Sequence, residues 1–232
     1  MLIQKYDYTP INRQSVDGRR LYSLPDGSKV PSVTTILDAT KPAEAKLALE
    51  NWRKSVGEQK AREITTEAAN RGTRMHKWLE DYVRNNRNMG EPGTNPYSIQ
   101  SYNMAQKIVD EGLAHVSEIW GIEVPLYVAG LYAGTTDACG VHKGKPAILD
   151  YKQTNKPKKL EYVQDYFLQL AAYGLAHNET HGTDIKQGVI LMAVAPKPNE
   201  EVQYQTWTVE GAEWEHWTQQ WLKRVEQYYK LA

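Results

Sequence analysis

The 232-residue sequence predicts an α/β fold, a central mixed sheet flanked by helices. Three observations carry this. Residues 42–85 are rich in Ala, Glu, Lys, Arg and Leu and read as helix. Residues 122–128, 131–141 and 147–153 read as three consecutive strands, followed by helical periodicity over 160–177. Two more strands, 187–195 and 202–209, precede a closing aromatic-rich helix over 211–231. The order helix, three strands, helix, two strands, helix builds a sandwich around one sheet.

The elements follow in order. Residues 1–40 are extended and turn-rich, with turn signals at Asp17-Gly18 and Pro25-Asp26-Gly27 around a short strand candidate at Leu21-Tyr22-Ser23-Leu24. Pro31 to Leu37 leads towards a helix. Within 42–85, Gly57 and Gly72 are either breaks or costs of about 1 kcal/mol each inside a helix. Residues 85–98 hold Asn, Gly and Pro and predict an exposed loop, and 99–117 predict another helix. His142-Lys143-Gly144-Lys145 is the turn between the second and third strands, and Pro196-Lys197-Pro198-Asn199 separates the last two. The division expected is an N-terminal strand, turn and helical extension over 1–65 and a core over 66–232, compact overall.

Composition narrows the function. Lys plus Arg and Asp plus Glu are both 28, so the net charge is zero. A duplex-coating protein shows a basic excess, so a nucleic-acid partner here needs a local basic channel or a metal to supply positive charge. Cys139 is the one cysteine, which rules out an intramolecular disulfide and a cysteine-ligated iron–sulfur cluster. No apolar run reaches the length of a membrane span, and the first ten residues lack the apolar stretch of a signal peptide.

The chemistry concentrates in the hairpin. If Lys143-Gly144 are its loop, His142 faces Lys145 and Asp137 faces Asp150, with Cβ atoms about 5 Å apart. Like charges at that spacing call for a shared proton or a cation. Lys152 shares the face of Asp150. A one-residue slip in register would reverse every side chain. Tyr162, Tyr166, Gln169 and Tyr173 fall on one helical face, which for the first two reads best as core. Gln169 is an amide among Leu168, Leu170 and Ala171 that needs a partner if buried. Upstream, His76 and Glu80 share a helical face in Arg71-Gly72-Thr73-Arg74-Met75-His76, with two arginines suited to phosphate. Trp207, Trp214, Trp217 and Trp221 could suggest a carbohydrate site, but the spacing of the last three more simply marks a buried helix face.

Taken in order, these residues resemble the PD-(D/E)XK nuclease superfamily in its RecB-like branch, within the group of the mitochondrial genome maintenance exonucleases and their bacteriophage relatives. The likeness runs from about Pro31 to the C-terminus and is densest from Arg71 to Tyr173. It implies a restriction-endonuclease-like core. His76 matches the family's helical histidine, a metal ligand, and Glu123 the acidic residue of the first core strand. Asp137 matches the metal-binding aspartate, and Asp150 and Lys152 the (D/E)XK pair. Gln169 and Tyr173, in Gln-Leu-Ala-Ala-Tyr, match the QxxxY motif. Asp150 stands where Glu is commoner, and Tyr151 where close relatives often carry Trp. Neither departure removes a ligand.

The resemblance implies a DNA exonuclease that prefers single strands or free ends and uses Mg²⁺, with Mn²⁺ accepted. His76, Asp137, Asp150 and the Tyr151 backbone carbonyl would hold the metal. Lys152, Gln169 and Tyr173 would act beside it. From their positions either side of the motif, Arg71, Arg74, Lys156, Lys158 and Lys159 are expected to line a channel for one DNA strand, the alternative for the lysines being a solvated loop. It also implies a phage-encoded protein in bacterial cytoplasm, recombination or replication partners, and no membrane. A double-strand exonuclease, a structure-specific endonuclease and a non-catalytic recombination accessory are the competing readings.

Overall fold

The computed structural model describes residues 2–16, 19–197 and 199–231. The Asp17-Gly18 turn signal and Pro198 of the loop between the last two strands lie outside them. Strands β1 (Asn12–Val16), β2 (Arg19–Ser23) and β3 (Lys29–Pro31) form a small antiparallel sheet. Helix α1 (Val33–Ala39) follows, and its Ser32 cap accepts the Thr35 N–H at 2.9 Å. Then come α2 (Ala43–Val56), α3 (Glu58–Arg84) and α4 (Pro96–Glu111). The main sheet has five strands in the order β4 (Val116–Val128), β5 (Tyr132–His142), β6 (Lys145–Thr154), β7 (Gln187–Val194) and β8 (Gln203–Glu210). Helix α5 (Gln164–His181) connects β6 to β7, which pair in parallel. The other neighbours are antiparallel. Helix α6 (Ala212–Leu231) closes the chain.

Each face of the sheet buries its own core. On one side Phe167, Leu170 and Ala171 of α5, Trp214 and Trp221 of α6 and Ile36 of α1 meet Cys139, Ile148 and Ile190. On the other, Met75 and Leu79 of α3 and Met104 and Ile108 of α4 meet Ala138, Leu149 and Leu191. The alternation along β5 and β6 sorts one residue to each side in turn. All eight residues of β7 are buried, as suits a central strand with helices on both faces. The three tryptophans of α6 form a packed face, Trp214 and Trp221 being buried and Trp217 half-buried.

Several boundaries differ from expectation for physical reasons. The helix ending at Glu111 stops at Gly112, where a Cβ would lie 2.8 Å from the Ile108 carbonyl oxygen and 2.9 Å from the Tyr204 hydroxyl. The chain therefore turns there, and β4 begins at Val116, earlier than expected at 122. Gly57 breaks α2 from α3, whereas Gly72 sits inside an unbroken α3. Tyr162 does not share the α5 face. It lies in a 3-10 turn (Leu160–Tyr162), 63% exposed, because Val163 leaves helical geometry before α5 begins. The boundary expected at residue 65 falls inside α3, and α1 packs into the same core as α5 and α6, so the N-terminal segment shares the core of the rest.

The β5–β6 hairpin has the expected register, with His142 opposite Lys145. Lys143 and Gly144 have φ of 48° and 80°, the twist-matched two-residue turn that wants glycine at its second position. The pairing then stops early. The last β5–β6 partners are Ala138 and Leu149. Beyond them β5 continues along β4 as far as Tyr132, and β6 continues along β7 as far as Thr154. The two strands form a fork, and Asp137 and Asp150 stand at its crotch.

Candidate active site

The fork is held open by side chains. Asp137 Oδ2 accepts the Tyr151 backbone N–H at 2.6 Å. That donor would otherwise lose its partner where the ladder stops. From α3, His76 Nε2 donates to the Tyr151 carbonyl oxygen at 3.0 Å, while its Nδ1 lies 3.4 Å from Asp137 Oδ1. Glu123 of β4 sits between the paired positions Ile122 and Val124, opposite Asp137. Its φ is 51°, a left-handed backbone that costs a residue with a side chain about 1–3 kcal/mol. Ligand atoms of His76, Glu123 and Asp137 all lie within 4.8 Å of one another. Three adjacent strands thus present Glu123, Asp137 and Asp150 in neighbouring positions, capped by a helical imidazole.

Asp150 and Lys152 point towards α5. Lys152 Nζ is 2.5 Å from Asp150 Oδ2, donates to Gln169 Oε1 at 3.3 Å, and lies 5.0 Å from the centre of the Tyr166 ring. Gln169 therefore finds the partner its surroundings demand. Tyr166 packs on the core and also faces the ammonium. Tyr173 is buried against Gly134, where a Cβ would come within 2.7 Å of its ring, so only glycine fits beneath it.

The electrostatics follow from burial and neighbours. Burial opposes a charged His76, but the Asp137 carboxylate outweighs it and raises the imidazole pKa above its ordinary value. Burial alone would raise Asp137, yet His76 and Lys152 hold it below the usual carboxylate range. Asp150 is pushed up to about 6 by burial and by the Asp137 charge, against the pull of Lys152. Burial opposes the Lys152 charge too, and Asp150 and Asp137 overcome it, so its pKa rises and the ammonium keeps its proton. Burial raises Glu123 and lifts Tyr173 well above 10, leaving the latter a neutral hydroxyl.

The donor set suits a hard divalent cation. It offers carboxylate oxygens, one carbonyl and one imidazole, the mix that Mg²⁺ and Mn²⁺ accept. Asp150 Oδ2 is buried, with the Lys152 ammonium 2.5 Å away as its one charged partner. An open cleft of about 740 Å³, lined in part by His76, Glu80, Glu123 and Lys152, gives solvent access to the group.

The basic residues are distributed differently from the sequence expectation. Arg71 is 5% exposed. It grips Gln153 Oε1 through Nε at 2.8 Å and Nη2 at 2.6 Å, and donates to Asn155 at 2.5 Å. It is therefore turned inward, tying α3 to the end of β6. Arg74 faces α4, bonded to Ser101 at 3.1 Å and Glu67 at 3.3 Å. Lys156 and Lys159 are exposed on the loop after β6, and Lys158 borders a separate cavity beside Tyr162 and Arg224. None of the five lines the cleft. Two residues that do line it, Gln153 and Arg13, were not singled out from sequence. Gln153 carried a signal, as a polar side chain inside a buried strand next to Lys152. Arg13 carried none.

No family model matches the sequence. The chain is similar to proteins named mitochondrial genome maintenance exonuclease 1. It is 27% identical over 217 residues to that of Xenopus tropicalis, covering 87% of this chain and 58% of the relative. It is 26% identical over 211 residues to that of Mus musculus, covering 87% and 59%. It is 27% identical over 209 residues to that of Homo sapiens, covering 86% and 58%. The chain thus spans under two thirds of the length of these relatives. A crystal structure of a Eubacterium rectale protein with a provisional exonuclease name shares the fold at a TM-score of 0.50 and 17% identity, over 69% of this chain and 64% of that one. Among the described residues, no helix is long and apolar enough to cross a membrane.

Proposed function

We propose that this chain is a metal-dependent deoxyribonuclease of the PD-(D/E)XK type, RecB-like branch, acting as an exonuclease on single-stranded DNA or free ends. The observation that carries the reading is the fork. Ligand atoms of His76, Glu123 and Asp137 gather within 4.8 Å at its crotch, with the Asp150–Lys152 pair beside them. The similarity to proteins named exonucleases supports it. The nuclease core of the proposal runs from residue 66, and the segment 1–65 contributes α1 to the same hydrophobic core.

His76, Asp137, Asp150 and the Tyr151 carbonyl are the proposed metal ligands, with Glu123 in reach from β4. A bound Mg²⁺ or Mn²⁺ would supply Lewis acidity at the scissile phosphate and acidify an attacking water. Lys152 stays protonated here, so its part is to stabilise developing negative charge and to hold the water by donation. Gln169 aims the ammonium by accepting from it. Tyr166 covers it and keeps bulk water from its far side. Tyr173 and Gly134 pack the floor behind Asp137 and Asp150.

A linear single-stranded oligonucleotide and its covalently closed circle, each with Mn²⁺, test the exonuclease part. Degradation of the linear form with the circle left intact is the expected result. Efficient cutting of the circle would favour an endonuclease, and inertness towards linear, tailed and blunt DNA with both metals would favour a non-catalytic accessory.

A further inference from the structure

We propose that the face of the β1–β2 hairpin carrying Arg13 and Arg20 is a subsite for the backbone phosphates that adjoin the scissile one on a single DNA strand. The proposal rests on the nuclease reading for the identity of the strand, but its site lies outside the catalytic group.

Arg13, Ser15 and Arg20, with Thr34, Thr35 and Asp38 of α1, line a polar groove of about 450 Å³. Arg13 also lines the catalytic cleft, so the two concavities meet at its side chain. The register places Ser15 opposite Arg20 and Arg13 opposite Tyr22. Arg13 and Arg20 are therefore diagonal neighbours on one face of the hairpin, about 7–8 Å apart. Both are exposed, and among the described residues neither joins an ion pair, unlike Arg74, Arg84 and Arg224. Asp38, the acid of the groove, lies 3.3 Å from Lys41. Two exposed guanidinium groups on one face of a hairpin, unpaired among the described residues, offer planar forks that match phosphate oxygens.

The groove has a firm floor. Thr35 Oγ1 accepts the Arg20 N–H at 3.2 Å and donates to the Arg20 carbonyl at 3.0 Å, fixing β2 on α1. The charge balance explains why the site is needed. The cluster beside His76 holds two carboxylates, Glu123 and Asp137, while Asp150 is paired with Lys152, and the five basic residues expected to face a strand do not line the cleft. Arg13, which lines both concavities, and Arg20 beside it supply cationic groups that pair with no acid among the described residues.

The test uses the full chain with Lys152→Ala as parent in the presence of Mg²⁺, so that a fluorescein-labelled oligothymidylate stays whole. Affinity is read by anisotropy across a salt series. Arg13→Gln with Arg20→Gln should weaken binding at least tenfold. It should also flatten the slope of log affinity against log salt by about 1.4, since every single-strand phosphate that is no longer neutralised takes about 0.7 from it. Arg13→Gln alone should give about half that change. The charge-matched control, Lys145→Gln with Lys186→Gln at the opposite end of β6 and β7, should leave the slope unaltered. With Lys152 restored, the arginine pair should lose at least tenfold more kcat/KM on the oligonucleotide than on bis(p-nitrophenyl) phosphate, which reaches only the catalytic group. Unchanged affinity and slope would overturn the subsite. So would equal losses on both substrates, or displacement of the strand by millimolar inorganic phosphate in the parent but not in the arginine variant, which marks a free-anion site. If wild-type protein hydrolyses neither substrate, the nuclease reading fails while the anisotropy series still decides the groove.

Discussion

The Asp137 carboxylate accepts the Tyr151 backbone N–H at 2.6 Å, across the point where β5 and β6 stop pairing. One side chain thereby does structural and chemical work: Oδ2 completes the backbone bonding of β6 and Oδ1 faces His76. The two roles are separable. Asp137→Asn can keep the acceptor and lose the charge that His76 and Lys152 favour, so it should cost less stability than Asp137→Ala while Mn²⁺ no longer raises the Tm. Asp137→Ala leaves the N–H orphaned and should lose a further 1–3 kcal/mol or so. Equal stabilities for the two variants in urea unfolding would refute the structural role.

Lys152→Met should lower kcat at least about 100-fold, the scale of removing a positioned charge from a water-poor site. The fold should survive in acid, where Asp150 can take a proton. The Asp150 pKa is already raised to about 6 in the fold, so its contribution to stability is present at low pH and is lost as pH rises through about 6. Without the ammonium that loss should be larger and extend to higher pH. Unfolding curves at pH 5 and pH 8 check it, and a variant equally stable at both would count against the pair.

Metal affinity should fall with acid. Asp150 must shed its proton to ligate, and so must His76, whose pKa is raised by Asp137. Calorimetric titration with Mn²⁺ should show affinity dropping up to about tenfold per pH unit for each group still protonated, with Asp150 acting below about 6. Affinity independent of pH between 5 and 8 would show that neither group binds the ion.

Arg71 ties α3, which carries His76, to β6, which carries Asp150 and Lys152. Arg71→Ala should cost about 1–3 kcal/mol by leaving Gln153 and Asn155 unpaired, and should weaken Mn²⁺ binding as well. Arg71→Lys should not restore either property, because a single ammonium cannot reproduce the fork on Gln153 Oε1. Full rescue by lysine would show that only the charge matters.

Much of this was legible in the chain. The Lys143-Gly144 turn fixed the hairpin register as far as Ala138 opposite Leu149, one step short of Asp137 and Asp150, which the expectation had facing each other across the ladder and which stand where the strands part. The amide of Gln169 among apolar neighbours announced a buried partner, which is Lys152. The fork itself was not legible, because nothing in the strand pattern of 131–141 or 147–153 says where pairing stops. The left-handed backbone at Glu123 is likewise set by tertiary packing. Arg71 misled because an arginine beside a helical histidine reads as phosphate-facing, whereas its position on α3 points it at Gln153. Arg13 was invisible because its importance comes from where a distant hairpin packs.

The most direct measurement is cleavage of an end-labelled single-stranded oligonucleotide by wild-type protein and Asp150→Asn, with Mg²⁺, with Mn²⁺, or with EDTA. The expected result is degradation of the wild-type reactions with either metal, none with EDTA, and at least a 100-fold loss in the variant. Undiminished cleavage in EDTA, or an Asp150→Asn protein as active as wild type, would contradict a metal centre in the fork.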